Sequence, residues 1–444
     1  MKKVLSTVAA LGLVAGLAST AAAVEFKMSG KYLVEGASLS DSTGLGVDTN
    51  ETAALPNHSD AYFLHTFEIK PTMVVNDKVS MTSVIRLADD SFWGNQAGGD
   101  VASVGTKVGG TSGDVYVHQL YMDYASPIGK MRFGRTPAGT YGTSFMDSDL
   151  RGDRVMFYPS FLASGPVSTL FYIQKSTDNN VNNNGAGAAT TASDQDKTSY
   201  VARVYYNDTN LDSGLHYQYT NNMAAAAIND RQQQLTAYAK YKMDNYFVNA
   251  EVNRYFGSAE ADPATSVDYD SWAGMLQVGG KFDALTANLM YFYAEGQDSS
   301  TDVTAALNSG SSVKGTGDQF EPLYILTGRH TGMLNPDIYA VSTNMVNSGV
   351  HAIVAAADYA VSNQLTLHGA IGWAKADEAR VYAGQDDSYG WEYNIGAAYK
   401  LLDNLTYEAH FGYLATGDYF KTAPGTTDDT QNIYVLTHSL TMSF

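Results

Sequence analysis

The sequence predicts an all-β fold, a transmembrane antiparallel up-and-down β-barrel of about 18 strands. Apolar and aromatic residues alternate with polar residues along most of the chain, which is the period-2 pattern of strands with two unlike faces. Short Asn/Asp turns alternate with loops of ten to fifty residues, and this asymmetry is typical of barrels that cross a membrane. One glycine-rich segment after Arg135 breaks the pattern and is predicted to fold into the barrel as its third loop.

Individual strands can be placed from this alternation. Strand 16 is the most regular, because every second residue from Trp391 to Leu401 is apolar or aromatic. Other strands are predicted at about 25–39, 60–75, 78–92, 166–176, 197–207 and 431–444. Turns are predicted at Asn76-Asp77, Pro127-Ile128-Gly129, Asn207-Asp208, Asp244-Asn245, Asp283, Ser362-Asn363 and Asp403-Asn404. Sixteen strands is the alternative count, and either even number brings both chain ends to the same side of the membrane.

Strands that lie in lipid have to close into a ring. A backbone N–H or C=O without a partner is costly in hydrocarbon, so an open sheet edge is excluded there. A ring of 18 strands encloses a water-filled channel instead of a packed core. A polar lumen face explains the mean hydropathy of −0.20, and the 31 tyrosines fit aromatic girdles at the two membrane–water boundaries. Tyrosine-rich strands in a secreted soluble protein are the alternative interpretation.

The composition excludes several classes of function. The 444 residues contain no cysteine, which rules out a disulfide framework and Cys-ligated zinc or iron–sulfur sites. A formal net charge of −19 and a pI near 4.7 argue against a nucleic-acid partner, because phosphate binding needs a basic patch. The nine histidines show no HExxH spacing, and the sequence has no GxSxG motif.

Residues 1–23 have the pattern of a cleaved signal peptide. Lys2 and Lys3 form a basic start, an apolar stretch follows, and Ala21-Ala22-Ala23 fits a small-residue cleavage site. Residues 24–444 are then predicted to form one exported barrel domain, whose formal charge is about −21 once the two lysines are lost. A membrane anchor is the alternative for the leader, although its apolar run is short.

Alternation points a set of basic side chains toward the predicted lumen, namely Lys27, Lys31, Arg86, Lys130, Arg132 and Arg203. The third loop carries a run of acids, Asp147, Asp149 and Asp153, around Arg151. This run could hold Ca²⁺ through oxygen ligands, although it lacks the spacing of an EF-hand. Alternatively, the acids, Arg151 and Arg154 only tie the loop to the barrel wall by ion pairs.

The leader, the alternating strands, the inward third loop and the terminal Phe444 together make the chain resemble a Gram-negative general porin of the outer membrane. More narrowly, Gly129–Tyr158 and Phe320–Gly332 look like segments of homotrimeric porins from anaerobic sulfate- and metal-reducing bacteria. The PEFGG-type loop motif of enterobacterial general porins is absent, so the loop details of those proteins are not carried over.

This resemblance implies a passive channel for ions and small hydrophilic solutes, without catalysis and without a cofactor. It also implies a homotrimer that contacts outer-membrane lipid and lipopolysaccharide, and an assembly signal at Phe444 that the barrel assembly machinery reads. In general porins a basic wall faces acids on the third loop, and here Asp147, Asp149 and Asp153 would be those acids. The overall negative charge predicts a weak preference for cations.

Two other functions compete with the channel. A barrel could sheathe a periplasmic or surface electron carrier, but the lumen of such a sheath would have to be free of an inward loop. An outer-membrane hydrolase would need a Ser/His pair at the lipid face, and His118, out of phase among lipid-facing residues, is the one histidine that fits. Single-channel conductance would separate the channel from both alternatives.

Overall fold

Eighteen antiparallel strands form one sheet in the part of the chain that the computed structural model describes. This part comprises residues 24–40, 59–93, 115–143, 145–147, 151–177, 196–223, 229–262, 265–298, 301–309, 316–317, 319–331, 333–334, 343–378, 386–420 and 430–444. The predicted signal peptide and Asp149 lie outside the described residues.

The strand bounds lie close to the predicted ones. Strands β1 to β9 span Glu25–Leu39, Asp60–Val74, Val79–Phe92, Tyr116–Ser126, Gly129–Pro137, Arg151–Pro159, Val167–Thr177, Lys197–Asn207 and Leu211–Asn222. Strands β10 to β18 span Asn229–Met243, Tyr246–Asp262, Thr265–Phe282, Leu285–Ala294, Val350–Ala360, Leu365–Lys375, Ser388–Leu402, Leu405–Thr416 and Ile433–Ser443. Two short helices, α1 (Ala306–Ser309) and α2 (Thr343–Ser348), lie between β13 and β14. No helix among the described residues is long and apolar enough to cross a lipid bilayer.

The first and last strands pair and close the sheet into a barrel. Each strand pairs with its neighbours in sequence, and β1 also pairs with β18, with Lys31 opposite Ser443 and Leu39 opposite Val435. Closure removes both sheet edges, so the backbone donors and acceptors of the outermost strands find partners in each other. The predicted up-and-down barrel of 18 strands is confirmed, and the alternative count of 16 is wrong.

Connections at one end of the barrel are short. Asp244 and Asp283 stand at the start of two-residue turns with φ of 51° and 52°, a left-handed conformation that Asp adopts more readily than most residues. The connection 160–166 is longer and contains a 3-10 helix at Ser160–Leu162. At the opposite end, loops of ten to fifty residues were predicted, and this is wrong for 223–228 and 263–264. The second of these is short because β11 and β12 extend to 17 and 18 residues and pair almost to the tip.

The two faces of the wall differ in chemistry. Outward side chains such as Val155, Leu289 and Ile395 are apolar and expose 53, 56 and 66% of their surface. Their inward neighbours in the same strands include Arg154 and Asn394, which are polar and buried against chain inside the barrel. This alternation of apolar-out and polar-in residues is the pattern of a barrel wall that meets lipid on one side and water on the other.

Strand β4 contains a bulge that reverses its alternation. Val84 of β3 lies opposite Gln119, whereas the next residue, Ile85, lies opposite Val117, so His118 is an extra residue in β4. One extra residue reverses the alternation, so residues an even number of positions apart across the bulge point to opposite faces of the sheet. His118 is therefore 7% exposed and contacts the hydroxyl of Tyr116 at 3.2 Å on the lumen side. The prediction that His118 lies among lipid-facing residues is wrong.

The largest apolar core lies inside the barrel. It joins wall residues such as Phe292 and Val354 to Leu323, Ile325 and Leu326, which belong to the connection between β13 and β14. The described part of this connection that contains Leu323, Ile325 and Leu326 thus turns inward and fills part of the lumen. The period-2 pattern did not predict this placement, because the segment is not a strand.

Because adjacent residues of a wall strand point to opposite faces, a charged substitution should reduce stability more at an outward position than at the inward position beside it. Replacing Leu289 by Arg places a guanidinium in the outward apolar band, so we expect the free energy of unfolding to fall by about 2 kcal/mol. Asn288→Arg, one residue away, points into the lumen beside Gln277 and serves as the matched control, with a smaller loss. Urea unfolding of both variants in lipid vesicles measures the difference, and equal losses would contradict the assigned faces.

Candidate functional site

The third-loop segment (residues 138–143 and 145–147) crosses the interior of the barrel. The Tyr141 ring packs edge-on against Tyr238 of β10 with 4.9 Å between ring centroids. Phe145 packs against Phe292 of β13 at 5.8 Å and against Phe320 at 5.0 Å. Tyr238 and Phe292 are inward side chains of the wall, far around the sheet from β5 and β6, between which the segment begins and ends. The segment therefore occupies the lumen and narrows it.

Arg203 of β8 anchors this segment to the wall. Its side chain is 2% exposed, and its Nη1 donates to the carbonyl oxygens of Ala138 and Gly139 at 3.2 and 3.0 Å. Its Nε donates to Nδ1 of His216 at 2.9 Å, and its guanidinium lies 5.0 Å from the Tyr141 ring centroid. Arg203 points inward, but its charge holds the loop and does not face open water.

Glu251 of β11 provides a second anchor. This carboxylate is 1% exposed and accepts hydrogen bonds from the backbone N–H and the hydroxyl of Thr143 at 2.6 and 2.7 Å. The amide of Asn253 donates to its other oxygen at 2.9 Å. Charge-assisted hydrogen bonds of this kind are stronger than neutral ones, so they fix the loop position. No motif in the sequence marks Glu251, because the contact joins residues more than a hundred positions apart.

Two of the three predicted loop acids, Asp147 and Asp153, are not brought together. Asp147 accepts the backbone N–H of Tyr141 at 2.5 Å and lies 3.9 Å from Nη2 of Arg203, so it ties the loop to the wall. Asp153 is not in the loop but in β6, in phase with the outward residue Val155 and thus on the outer face. Asp147 and Asp153 lie on opposite sides of the wall and cannot share a Ca²⁺ ion.

The predicted basic wall lies in the lumen, but most of its charges are paired. Nε of Arg86 donates to Glu68 at 3.2 Å, and its Nη1 also contacts Asp89. Arg132 binds both oxygens of Asp123, at 2.6 and 2.9 Å. These ion pairs reduce the net positive field of the wall, which the sequence pattern alone did not reveal.

The three predicted lysines are more accessible. Lys130 also approaches Asp123, at 3.3 Å, with its side chain 46% exposed. Lys27 lies near the rim beside Glu25 at 3.4 Å, and Lys31 lies further up the same inward face of β1. Because exposed ion pairs are weak, these lysines keep most of their charge available to the lumen.

A second segment crosses the lumen, formed by residues 319–331 of the connection between β13 and β14 and named here the lumen segment. Glu392 of β16 accepts the backbone N–H groups of Ile325 and Leu326, both at 2.8 Å. Arg329 binds Glu35 of β1 at 3.2 Å. The segment is thus held both by β1 and by β16, which lie near each other in the closed barrel because β1 pairs with β18. Its apolar run PLYIL inside a long loop is the signal that could have indicated burial.

Charge is unevenly distributed around the inner wall. Strands β1 to β10 carry the inward basic residues Lys27, Lys31, Lys70, Arg86, Lys130, Arg132, Arg154, Lys197, Arg203, Lys240 and Lys242, which outnumber the inward acids of the same strands, among them Glu35, Glu68, Asp89, Asp123, Asp212 and Asp230. On β11 to β18, the inward acids are Glu251, Asp358, Glu392 and Glu408, against Lys281 and Lys400. The acids that oppose the basic sector therefore come from the far wall and from Glu321 of the lumen segment, not from the third loop.

Comparison with known proteins supports the fold. No family model matches the chain, and no curated protein matches it. Among solved structures, OccAB3 of Acinetobacter baumannii has a TM-score of 0.54 at 10% identity, over 94% of this chain and 100% of that one. OccK8 (OprE) of Pseudomonas aeruginosa has 0.53 at 11%, over 95 and 98%. A BenF-like porin from Pseudomonas fluorescens Pf-5 has 0.50 at 10%, over 94 and 99%. The chain shares the barrel fold of these proteins.

Removing the Arg203 anchor should widen the lumen. Arg203→Met keeps much of the side-chain volume but loses the bonds to the carbonyls of Ala138 and Gly139, so the third-loop segment moves more freely. We expect a larger and noisier single-channel conductance in planar bilayers. Lys242→Met, an inward lysine near the short-turn rim, is the control. Unchanged conductance in the Arg203 variant would mean that the loop does not limit the current.

The stability of the lumen segment in its bound position inside the barrel, here called the seated state, should depend on pH through His330. Burial and the adjacent Arg329 lower the pKa of His330 to about 3, whereas an exposed histidine has a pKa of about 6.5. The seated segment therefore binds fewer protons than the released one, and seating loses stability as pH falls from about 6.5 toward 3.

We expect more frequent conductance changes at pH 4 than at pH 7. His330→Gln should reduce this pH response, because glutamine does not titrate and can also hydrogen-bond to the hydroxyl of Tyr62, which lies 3.0 Å from Nδ1 of His330. An equal pH response in both proteins would assign the effect to another group, for which Glu35, 3.8 Å from His330, is the nearest candidate.

Proposed function

We propose that this chain is a passive, water-filled diffusion channel for ions and small hydrophilic solutes in the outer membrane of a Gram-negative bacterium. The observation that carries the proposal is a closed barrel with an apolar outer face and a charged inner face, narrowed by two inward segments. One protein of similar fold, from Pseudomonas fluorescens Pf-5, is a BenF-like porin, and this likeness agrees with the proposal. Export through a cleaved leader at residues 1–23 is part of the same proposal.

The electrostatic arrangement supports selection by charge. The basic sector on β1 to β10 faces the acids of β14 to β17 across the lumen, and a low-dielectric constriction strengthens such a field. Ion pairs neutralise much of the basic sector, since Arg86 and Arg132 each bind carboxylates. Glu408, by contrast, has no Lys or Arg partner within the described residues. This imbalance favours a weak preference for cations.

Two contacts bear on assembly. The backbone N–H of Phe444 donates to the carbonyl of Gly30 at 3.1 Å, and the N–H of Gly30 donates to the carbonyl of Phe444 at 2.9 Å. The terminal residue thus takes part in the seam between β1 and β18. We propose that Phe444 serves as the signal for the barrel assembly machinery, and that the mature barrel is a homotrimer in contact with lipid and lipopolysaccharide.

The alternative functions receive less support. A sheath around an electron carrier needs an open bore, whereas the third-loop segment and the lumen segment meet inside this one, with Phe145 against Phe320. A hydrolase at the lipid face loses its candidate base, because His118 faces the lumen. A barrel without enzymatic activity is therefore the simpler proposal.

A planar-bilayer recording tests the channel directly. Purified protein should produce discrete ohmic current steps in KCl, and a salt gradient should give a reversal potential of the sign expected for weak cation selectivity. If the protein conducts no current although its heat-modifiability on a gel shows that it is folded, this result would exclude the diffusion channel and favour the sheath.

Removing the wall arginines should raise cation selectivity. Arg86→Ala combined with Arg132→Ala leaves Glu68, Asp89 and Asp123 without these cations, so the lumen becomes more negative. The reversal potential should shift toward the potassium equilibrium potential. Arg254→Ala, an arginine on the outward face beside Trp272, is the control. An unchanged reversal potential in the double variant would remove both arginines from the conducting path.

A further inference from the structure

Two cavities in the lumen lie on either side of Tyr324 in the lumen segment. The first, of about 260 Å³, is bordered by Asp358 of β14 and His368 of β15. The second, of about 180 Å³, is bordered by Glu408 and His410 of β17. Both are lined by Glu321 and Tyr324. A carboxylate on a wall strand therefore lies at each end, with an aromatic ring between.

The charge of this paired site is negative. Asp358 contacts His368 at 2.6 Å, but half of its side chain remains exposed. Among the described residues, no lysine or arginine forms an ion pair with Glu408. The one arginine at the site, Arg329, already binds Glu35 at 3.2 Å and Asp90 at 3.4 Å. An anion would thus find no available guanidinium here, whereas a cation would find carboxylates.

The phenol of Tyr324 is surrounded by the same carboxylates. Burial, together with the carboxylates of Asp358, Glu321 and Glu408, raises the pKa of Tyr324 to about 12. A phenol that stays neutral presents its ring face to a cation without competing charge, and ring faces attract ammonium groups.

Polar atoms without partners lie next to Tyr324. Asn394 of β16 is 4% exposed; its amide interacts with Glu392, whereas its amide oxygen has no hydrogen-bond partner in the described structure. Its Oδ1 lies beside Gly412, where the Cβ of Tyr324 also approaches. Nδ1 of His410, which borders the second cavity, likewise lacks a partner. Such atoms can form hydrogen bonds with a polar solute that enters the cavity, because a buried polar group is stabilised when it is paired.

We propose that these two cavities bind a small linear diammonium solute, with one ammonium group beside Asp358 and the other beside Glu408. The alkyl chain would then pass over the ring of Tyr324, and ammonium groups would donate charge-assisted hydrogen bonds to the carboxylates. A bare metal ion fits less well, because no group of three or more metal-ligating side chains is found among the described residues. This inference rests on the proposed channel function and specifies the solute class that the channel retains.

The test uses the full-length mature protein with 1,4-diaminobutane as the probe. In planar bilayers, millimolar 1,4-diaminobutane should reduce the KCl current, and 1-aminobutane, with one ammonium group, should do so at a concentration about tenfold higher. Succinate, a dianion of similar length, should have no effect. The double variant Asp358→Asn, Glu408→Gln should raise the half-blocking concentration of 1,4-diaminobutane about tenfold.

Asp212→Asn is the matched control, since Asp212 is an inward acid on β9 that contacts Tyr238 at 2.7 Å, away from the cavities. Its half-blocking concentration should equal that of the parent protein. Equal block by the parent and the double variant, or equal block by the two amines, would overturn the proposal. Because the double variant could misfold, each single variant is measured as well, and heat-modifiability on a gel verifies folding.

Calorimetry separates this inference from the channel proposal. Titration of the detergent-solubilised protein with 1,4-diaminobutane should release or absorb heat that the double variant lacks. Binding without any bilayer current would reject the diffusion channel but retain the diammonium site. Current without binding or block would retain the channel and reject the site.

Discussion

Satisfaction of backbone hydrogen bonds at the barrel seam is the constraint on which the rest of the structure depends. Because β1 pairs with β18, one face of the sheet encloses the lumen with its charged side chains and the other carries apolar side chains on the outside. The same closure creates an enclosed volume that is too wide for side chains alone to fill. The chain fills part of this volume with two of its own connections, and the solute path is what remains.

The two connections are anchored by buried charge rather than by apolar contact alone. Arg203 holds the third-loop segment through carbonyl oxygens, whereas Glu392 holds the lumen segment through backbone N–H groups. Each anchor satisfies main-chain groups that a loop in the lumen could not pair within itself. Phe145 and Phe320 then join the two segments through their rings. The constriction is therefore a single packed unit formed by distant parts of the sequence.

The sequence predicted the wall well because its signal is local. Alternation of lipid and lumen faces has a period of two residues, and the Asn/Asp turns mark where it restarts. This signal fails where one residue is inserted. The bulge at His118 leaves regular alternation on both sides, so the change of face is invisible without the partner strand. Asp153 was assigned to the loop for a related reason, since a run of acids hides the start of β6.

The interior was less predictable because its contacts are remote in sequence. The inward direction of Arg86 and Arg132 follows from alternation, but their carboxylate partners do not. Nothing near Glu251 or Glu392 indicates that either residue binds a loop.

The attachment of the lumen segment also has a consequence for the order of folding. Its partners are Glu35 near the start of the chain and Glu392 near the end, and these belong to the first and the sixteenth strands. The segment cannot complete these two anchors before the ring is nearly closed. Until then Leu323, Ile325 and Leu326 can pack only against nearby strands such as β13 and β14, so the unclosed barrel needs protection from aggregation during transit to the membrane.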